Sequence, residues 1–174
     1  NKFRKNNGMY DCIVPGSGGK DSFYASHILK YKYKMNPLTV TWAPHIYTDW
    51  GWKNQQSWIH AGFDNILFTP NGRVHRLITR LATDNIFHPF QPFIIGQKNL
   101  PPKIAARYDI PLIFYGENGE AEYGGSTKQR DNPFEDINDV TRTMFKNVGY
   151  DELSNLAVKL GFIKQNLLTE AVRE

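Results

Sequence analysis

The residues best suited to phosphate chemistry lie in VPGSGGKDSFYASHIL, residues 14–29. The first part of this stretch holds three glycines, two serines, a lysine and an aspartate: Gly16, Ser17, Gly18, Gly19, Lys20, Asp21 and Ser22. Glycines remove side chains, so main-chain N–H groups can approach phosphate oxygens directly. The serine hydroxyls add hydrogen-bond donors, and the lysine neutralises negative charge. This composition predicts a site for a phosphate chain.

The surroundings of this loop agree with that prediction. An apolar run precedes it and a helical pattern follows, so the loop opens a helix whose unpaired N–H groups attract anions. The Walker motif is excluded, because Lys20 is followed by Asp21 and position 14 is not glycine. The dinucleotide motif lacks its third glycine, since position 21 is aspartate. The alternative is an ordinary strand-to-helix turn capped by Asp21 or Ser22.

Strand-like and helix-like segments alternate along the chain. Short β-prone runs predict strands at 9–14, 38–43, 64–70 and 110–118. Apolar spacing predicts helices at 21–33, 52–61, 73–84, part of 90–108 with an interruption at Pro101–Pro102, 134–145 and 150–162. Alternation predicts an α/β fold, a doubly wound, mostly parallel, Rossmann-like sheet with a helical C-terminal segment. Three polar loops, 15–22, 44–54 and 116–123, are expected to converge beyond the strand ends.

Composition narrows the classes of protein. The 174 residues are 40% hydrophobic with a net charge of +4, which is typical of one globular α/β domain and compatible with a polyanionic ligand. A single cysteine, Cys12, excludes an internal disulfide and is expected in the core. No apolar run reaches the roughly 18 residues of a membrane span, so a cytoplasmic protein is expected. Because the chain begins with asparagine and has Met9 inside, we expect a piece of a longer protein.

The sequence SGGKDS, residues 17–22, resembles the signature of the PP-loop ATP pyrophosphatases. The resemblance implies cleavage of ATP between its α and β phosphates, normally with Mg²⁺. It implies that residues 16–22 bind the phosphates, that Lys20 and Asp21 are catalytic, and that Asp21 holds Mg²⁺. It further implies that the end of the second strand, Thr41, Trp42 and Ala43, lines the adenine pocket.

Longer blocks, at 9–29, 41–80 and 110–125, resemble the N-acetyl sugar amidotransferases of bacterial surface-polysaccharide (lipopolysaccharide) biosynthesis. That resemblance implies an ATP-dependent conversion of an acetamido group, on a nucleotide sugar or nonulosonic acid, into an acetamidino group. It also implies separate glutaminase and cyclase-like subunits that supply ammonia. Members of the family carry cysteine pairs of a zinc site, which this chain lacks. The resemblance covers 9–125 as the PP-loop domain, and 126–174 is expected to be a helical extension packed on it.

The two remaining loops supply candidate substrate residues. Asp49 and Asn54 follow the second strand and either face substrate or cap the next helix. After the fourth strand, Gly116 permits a close backbone approach. The polar residues that follow it are Glu117, Asn118, Glu120 and Glu122. We expect Glu117 to be catalytic and Asn118 to bind substrate. The alternative for this segment is a solvated acidic turn. Trp50 and Trp52 either stack on a sugar or pack in the core. The five histidines show no metal spacing and are expected to be structural or superficial, with His45 the best exception.

Two other functions remain open. A PP-loop tRNA sulfurtransferase fits the same loop and the mildly basic charge, but that class typically needs catalytic cysteines or an RNA-binding extension. A non-catalytic nucleotide-binding module fits the fold, although mere binding does not require a pyrophosphate-gripping loop. Nucleic acid and membrane partners are not expected, and the oligomeric state and the identity of the sugar are left open.

Overall fold

The protein is a Rossmann-like α/β fold built on a parallel sheet, as a computed structural model describes it for residues 2–117, 148 and 150–162. The strands are β1 (Cys12–Pro15), β2 (Pro37–Trp42) and β3 (Asn65–Phe68). The helices are α1 (Lys20–His27), α2 (Asp49–His60), α3 (Gly72–Ile86), α4 (Gln91–Arg107) and α5 (Tyr150–Lys159). The predicted α/β class with a parallel sheet is therefore confirmed.

The sheet has the order β1-β2-β3, with both pairs parallel. Beyond the other edge of β1, a single parallel bridge joins Ile13 to Ile113. Ile13 N–H donates to the Leu112 carbonyl, and Phe114 N–H donates to the Ile13 carbonyl, both at 2.8 Å. The chain therefore adds strands outward from β1 in one direction and then returns to its other side. In such sheets the ligand crevice lies where the strand order reverses, here between β1 and residues 112–114.

Helices cover both faces of the sheet, which explains why β1 and β2 are apolar almost throughout. On one face, Cys12 and Val14 pack with residues of α1 and α2, including the fully buried Trp58. On the other, Ile13, Leu38 and Val40 pack with Leu100, Ala105 and Ile110. Because α1 and α2 each follow a strand directly, both begin at the carboxyl edge of the sheet.

The end of the first helix is a short π-helical segment, Ile28–Lys32. It brings two side chains to the C-terminus of α2: the Lys30 ammonium donates to the Gly62 carbonyl, and the Tyr31 hydroxyl donates to the Ala61 carbonyl at 3.3 Å. These bonds satisfy carbonyls that a helix end leaves unpaired. The predicted helix over 21–33 is thus one α-helix continued by a π-turn.

Two predicted elements differ from the structure. The helix expected to break at Pro101–Pro102 is a single helix, α4. Each proline removes a helical hydrogen bond, but Leu100, Pro101 and Ala105 are buried, so packing against the sheet holds the helix through the gap. The strand expected at 110–118 is reduced to the bridge at Ile113.

The last described helix packs on the domain. Leu153 of α5 is buried against Ile78 and Ala82 of α3, and the Gln91 side chain donates to the Val148 carbonyl at 2.8 Å. The helix predicted at 134–145 and the boundary expected after residue 125 lie outside the described residues. Among the described helices, none has the length and apolarity that crossing a membrane requires.

Candidate functional site

The glycine loop delivers an uncapped helix N-terminus to the carboxyl edge of the sheet. Gly19 is the N-cap residue of α1, and no side chain of the described residues forms a cap hydrogen bond there. A helix start normally has its N–H groups satisfied by a side chain or a ligand. The Gly16 N–H belongs to the sheet, since it donates to the Val40 carbonyl at 3.0 Å. A helix leaves the N–H groups of its first turn without intrahelical partners, so those of the loop tip and the first turn of α1 are the candidate donors for a ligand.

Glycine is required at three points around this helix start because the backbone is too close for a Cβ atom. A Cβ on Gly16 would lie 2.2 Å from the Ser22 Cβ, and one on Gly18 would lie 2.7 Å from the Asn54 carbonyl oxygen. A Cβ on Gly116 would lie 2.8 Å from the backbone nitrogen of Ser22. Gly18 also has a φ of +80°, which disfavours other residues.

These contacts join the three loops that the sequence placed at strand ends. Gly18 holds the glycine loop against α2, and Gly116 holds the segment after Ile113 against the first turn of α1. The predicted convergence is confirmed for the described residues. The crevice lies at the reversal of strand order, where α/β folds bind ligands.

The polar side chains of the loop divide into exposed and buried groups. Ser17, Lys20 and Asp21 are exposed, and the Lys20 ammonium lies 3.1 Å from an Asp21 carboxylate oxygen. Ser22 is buried beneath Gly16, and its hydroxyl donates to the Gly19 carbonyl at 3.1 Å. The first three side chains can reach a ligand as they stand, whereas the Ser22 hydroxyl holds the turn together.

The end of β2 turns its side chains into the protein. Thr41 is buried, and its hydroxyl oxygen accepts a hydrogen bond from the Asn65 amide at 3.1 Å. Trp42 points to the other face and stacks on Phe68, with ring centroids 5.0 Å apart. Ala43 is buried, and its N–H donates to the Phe68 carbonyl. These three candidate adenine residues therefore contribute shape and backbone more than side-chain contacts.

The remaining predicted residues that the structure describes lie within the two other predicted loops, 44–54 and 116–123, and are exposed. Asp49 lies in the first turn of α2, but Thr48 caps this helix by accepting from the Gly51 N–H at 3.0 Å. Asn54 is exposed beside Gly18. Glu117 is exposed next to Gly116, and Asn118, Glu120 and Glu122 lie outside the described residues.

A contact between a cation and an aromatic ring lies next to Gly116. The Lys98 ammonium of α4 lies 4.3 Å from the ring centroid of Tyr115, the residue before Gly116. This cation–π contact links the basic residues of α4 to the loop after residue 114.

Sequence reasoning missed one buried polar residue beside the loop. Gln55 has no exposed surface, its Cα would lie 2.9 Å from a Cβ on Gly18, and neither of its side-chain polar atoms makes a hydrogen bond among the described residues. Its carboxamide lies close to the buried Tyr47 hydroxyl. Burial raises the pKa of Tyr47, and Gln55 partly opposes that rise. A helical position one turn before the buried Trp58 was the signal that Gln55 faces inward.

A histidine pair was also missed. His75 is buried, and its ring lies 4.1 Å from that of His45, on the loop after β2. Burial, and second the charge of His45, lower the pKa of His75 to about 4, against a smaller opposing effect of the Pro92 carbonyl. His45 Nε2 lies 3.0 Å from the Thr79 hydroxyl oxygen. Because the Thr79 hydroxyl donates its proton to the His75 carbonyl, its oxygen accepts from His45 Nε2–H.

Nucleophilic and metal groups are sparse in the described ranges. Cys12 lies in the core as expected, and burial, followed by the charge of Asp11, raises its pKa to about 12, so its thiol stays protonated. Within residues 2–117 and 148–162, as far as these are described, no group of three or more His, Cys, Asp or Glu side chains is arranged to hold a metal. The Asp21 carboxylate is the kind of single ligand with which Mg²⁺ joins substrate phosphates.

Comparison with known proteins does not assign the chain to a family. No protein-family model matches the chain. An uncharacterized protein of Methanocaldococcus jannaschii is 54% identical over 37 residues, which are 21% of this chain and 13% of that protein. The crystal structure of a predicted subunit of a tRNA methyltransferase from the same organism has a TM-score of 0.49 and 19% identity, and the match covers 84% of this chain and 75% of that one.

Proposed function

We propose that the chain is a cytoplasmic, ATP-dependent amidotransferase that activates the N-acetyl group of a sugar and replaces its oxygen with nitrogen. The supporting observation is the uncapped start of α1 beneath a three-glycine loop, with Gly116 in contact with its first turn. This arrangement presents several main-chain N–H groups to one anion and excludes side chains that would block it. It favours a phosphate chain over a single carboxylate.

The chemistry follows from the poor reactivity of an amide. The acetamido oxygen attacks the α-phosphorus of ATP, the bond to the β-phosphate oxygen breaks, and pyrophosphate leaves. Ammonia then adds to the activated carbon, and AMP leaves with the former acetamido oxygen. The nitrogen loses protons to water as the acetamidino group forms. The protein's contribution is positioning and electrostatic stabilisation of the phosphates.

The described side chains fit parts of this scheme. The N–H groups of the loop hold the departing pyrophosphate, and Lys20, exposed at the helix start, neutralises its charge. Asp21 binds the Mg²⁺ that accompanies ATP, and the ion balances phosphate charge. Glu117 and Asn54 border the crevice from opposite sides and orient the acceptor. Ammonia comes from a separate glutaminase, since Cys12 is buried and protonated.

One experiment follows the oxygen atom. ATP, Mg²⁺, ammonium and UDP-N-acetylglucosamine labelled with ¹⁸O in the acetyl group are incubated with the protein, and AMP is analysed by mass spectrometry. We expect pyrophosphate release that depends on the sugar and ¹⁸O in the AMP. A panel of other acetamido sugars, including a nonulosonic acid, is run in parallel because the acceptor is not identified.

Controls separate the competing functions. Lys20→Ala and Ser17→Ala remove exposed groups of the loop, so both should lower pyrophosphate release at least about tenfold without changing the unfolding midpoint. Replacing the exposed Lys103 by alanine serves as the matched control. Pyrophosphate release that requires tRNA and not a sugar would instead identify an RNA-modifying enzyme. ATP binding without turnover under every condition would identify a binding module.

A further inference from the structure

A row of exposed aromatic side chains runs along the first helix and away from the glycine loop. Tyr24 and Tyr31 are 67% and 46% exposed, and the His27 ring lies 4.6 Å from that of Tyr31. Their spacing puts these three residues on one face of the helix, and Lys20 lies one turn before Tyr24 on the same face. We call Tyr24, His27 and Tyr31 the aromatic stripe.

Basic residues lie near the C-terminal end of the aromatic stripe. Tyr33 is 51% exposed, the Lys32 ammonium lies 5.6 Å from its ring centroid, and Lys34 follows. The Arg4 guanidinium donates to the Tyr33 carbonyl, which brings Arg4 to this surface. We call Arg4, Lys32 and Lys34 the basic rim. Lys30 is not part of it, because its ammonium caps α2.

The first 48 residues of the chain carry an excess of positive charge. Residues 1–48 contain seven Lys and Arg against two Asp, a net charge of +5, while the whole chain carries +4. Of these cations, Lys5 lies outside the rim and pairs with Asp109 at 3.6 Å. Asp11 is buried and accepts from the Lys5 and Asn36 N–H groups, and Asp21 pairs with Lys20. No acidic residue occurs between Asp21 and Asp49. The stripe and the rim therefore face solvent as a basic surface.

We infer that this surface binds single-stranded nucleic acid. Rings spaced along a basic face are how proteins bind single strands without reading sequence, since every base has a face that stacks and every nucleotide has a charged phosphate. From Lys20 to Tyr31 the helix spans roughly 16 Å, enough for a few nucleotides. A double helix shields its base faces, so it lacks the stacking contacts. A ligand that carries negative charge alone, such as polyphosphate, would contact the basic rim but has no base to stack on the aromatic stripe.

This inference is independent of the proposed ATP chemistry. The stripe begins at Tyr24, one turn after Lys20 and the glycine loop, so a strand bound along it can place one terminus beside that loop. The surface binds the strand whether or not that terminus reacts. Binding of the strand is therefore measured without ATP. If the strand does not bind, the amidotransferase proposal is unaffected.

The test is fluorescence anisotropy of the full chain with a labelled single-stranded RNA of about 12 nucleotides and mixed sequence. We expect Tyr24→Ala/Tyr31→Ala to weaken binding about tenfold per ring, and Tyr24→Phe/Tyr31→Phe to retain it. Lys32→Glu/Lys34→Glu should weaken binding and reduce the slope of log affinity against log salt by about 2. Circular dichroism checks that each variant is folded.

Matched controls lie elsewhere on the surface. Lys103→Glu/Arg107→Glu makes the same change in net charge on α4, and Phe87→Ala/Phe90→Ala removes two exposed rings after α3. Both pairs should bind like the wild type. Equal loss in the control and stripe variants, equal affinity for polyphosphate and RNA, or stripe-dependent binding to phosphatidylglycerol vesicles without RNA binding would each overturn the inference.

Discussion

At the scale of single residues, the glycines of the loop differ in what a side chain would meet. Gly18 has a φ of +80°, and an added Cβ would lie 2.7 Å from the Asn54 carbonyl oxygen. Gly19 has ordinary backbone geometry, and the nearest atom to an added Cβ is the Ser17 hydroxyl at 3.8 Å. Replacing Gly18 therefore tests what the fold requires, whereas replacing Gly19 tests what the proposed phosphate site requires.

The first prediction uses this pair. Gly18→Ala should lower the free energy of unfolding by about 2 kcal/mol, because it adds backbone strain and pushes α2 away. Gly19→Ala should leave the unfolding free energy within about 0.5 kcal/mol, yet abolish pyrophosphate release, since its methyl group occupies space next to the proposed phosphates. Urea unfolding and the pyrophosphate assay give both numbers. Equal stability of the two variants would contradict the close contact with α2.

A second residue-scale prediction concerns acid sensitivity. Since the folded pKa of His75 is about 4 and the unfolded value about 6.5, the fold holds a neutral imidazole. The stability that this contributes is present above pH 6.5 and is lost as the pH falls toward 4, because the unfolded chain takes up the proton first. We expect a loss of about 2 kcal/mol between pH 7 and 5 from this group.

Urea unfolding at the two pH values measures that loss. His75→Phe keeps an aromatic ring against His45 and Trp42 but cannot take up a proton, so its stability should fall less over the same range. His60→Gln, on the exposed end of α2, should keep the wild-type dependence because His75 remains. An unchanged dependence in His75→Phe would show that other groups cause the acid sensitivity.

At the scale of elements, one glycine sets how closely α4 approaches the sheet. A Cβ on Gly96 would lie 2.2 Å from the Trp42 ring, so the helix backbone rests on the indole. Gly96→Ala should cost about 2 kcal/mol by overpacking. Trp42→Phe makes room, so the double variant should be less destabilised than the sum of the single changes. Gly72→Ala, whose nearest contact is the flexible Arg76 side chain, is the matched control and should be nearly neutral.

The order of elements was predictable from sequence, but their local geometry was not. Periodicity gave each described strand and helix, because apolar spacing follows the fold. The prolines of α4 gave a wrong prediction of a helix break, because the packing of Leu100 and Ala105 outweighs the local effect of proline. The directions of Thr41 and Trp42 were not readable, because a strand buried on both faces carries no alternation.

At the scale of the whole molecule, the glycine motif was readable and its surroundings were not. The SGGKDS signature gave the position of the loop between β1 and α1 from residue types alone, and its phosphate chemistry stays a prediction. The contact of Gly116 with Asp21 and Ser22 joins residues far apart in sequence, and no spacing rule links them. Placing Gly116 after a predicted strand was sufficient to bring it to the correct edge of the sheet, but not to put it on the first turn of α1.

The last prediction tests the crevice as a unit through thermal stability. A ligand that binds the folded chain alone adds about 2.7 kcal/mol at a hundred times its dissociation constant, which raises the Tm of a chain of this size by roughly 5–11 °C. Mg-ATP should produce such a shift, EDTA should reduce it, and Mg-pyrophosphate should give part of it by filling the loop without a base. Gly19→Ala should be as stable as the wild type without ligand and show no shift. Because the Ser17 hydroxyl is the one atom within 4 Å of that methyl group among the described residues beyond its chain neighbours, an undiminished shift in this variant would mean that the phosphates bind away from α1.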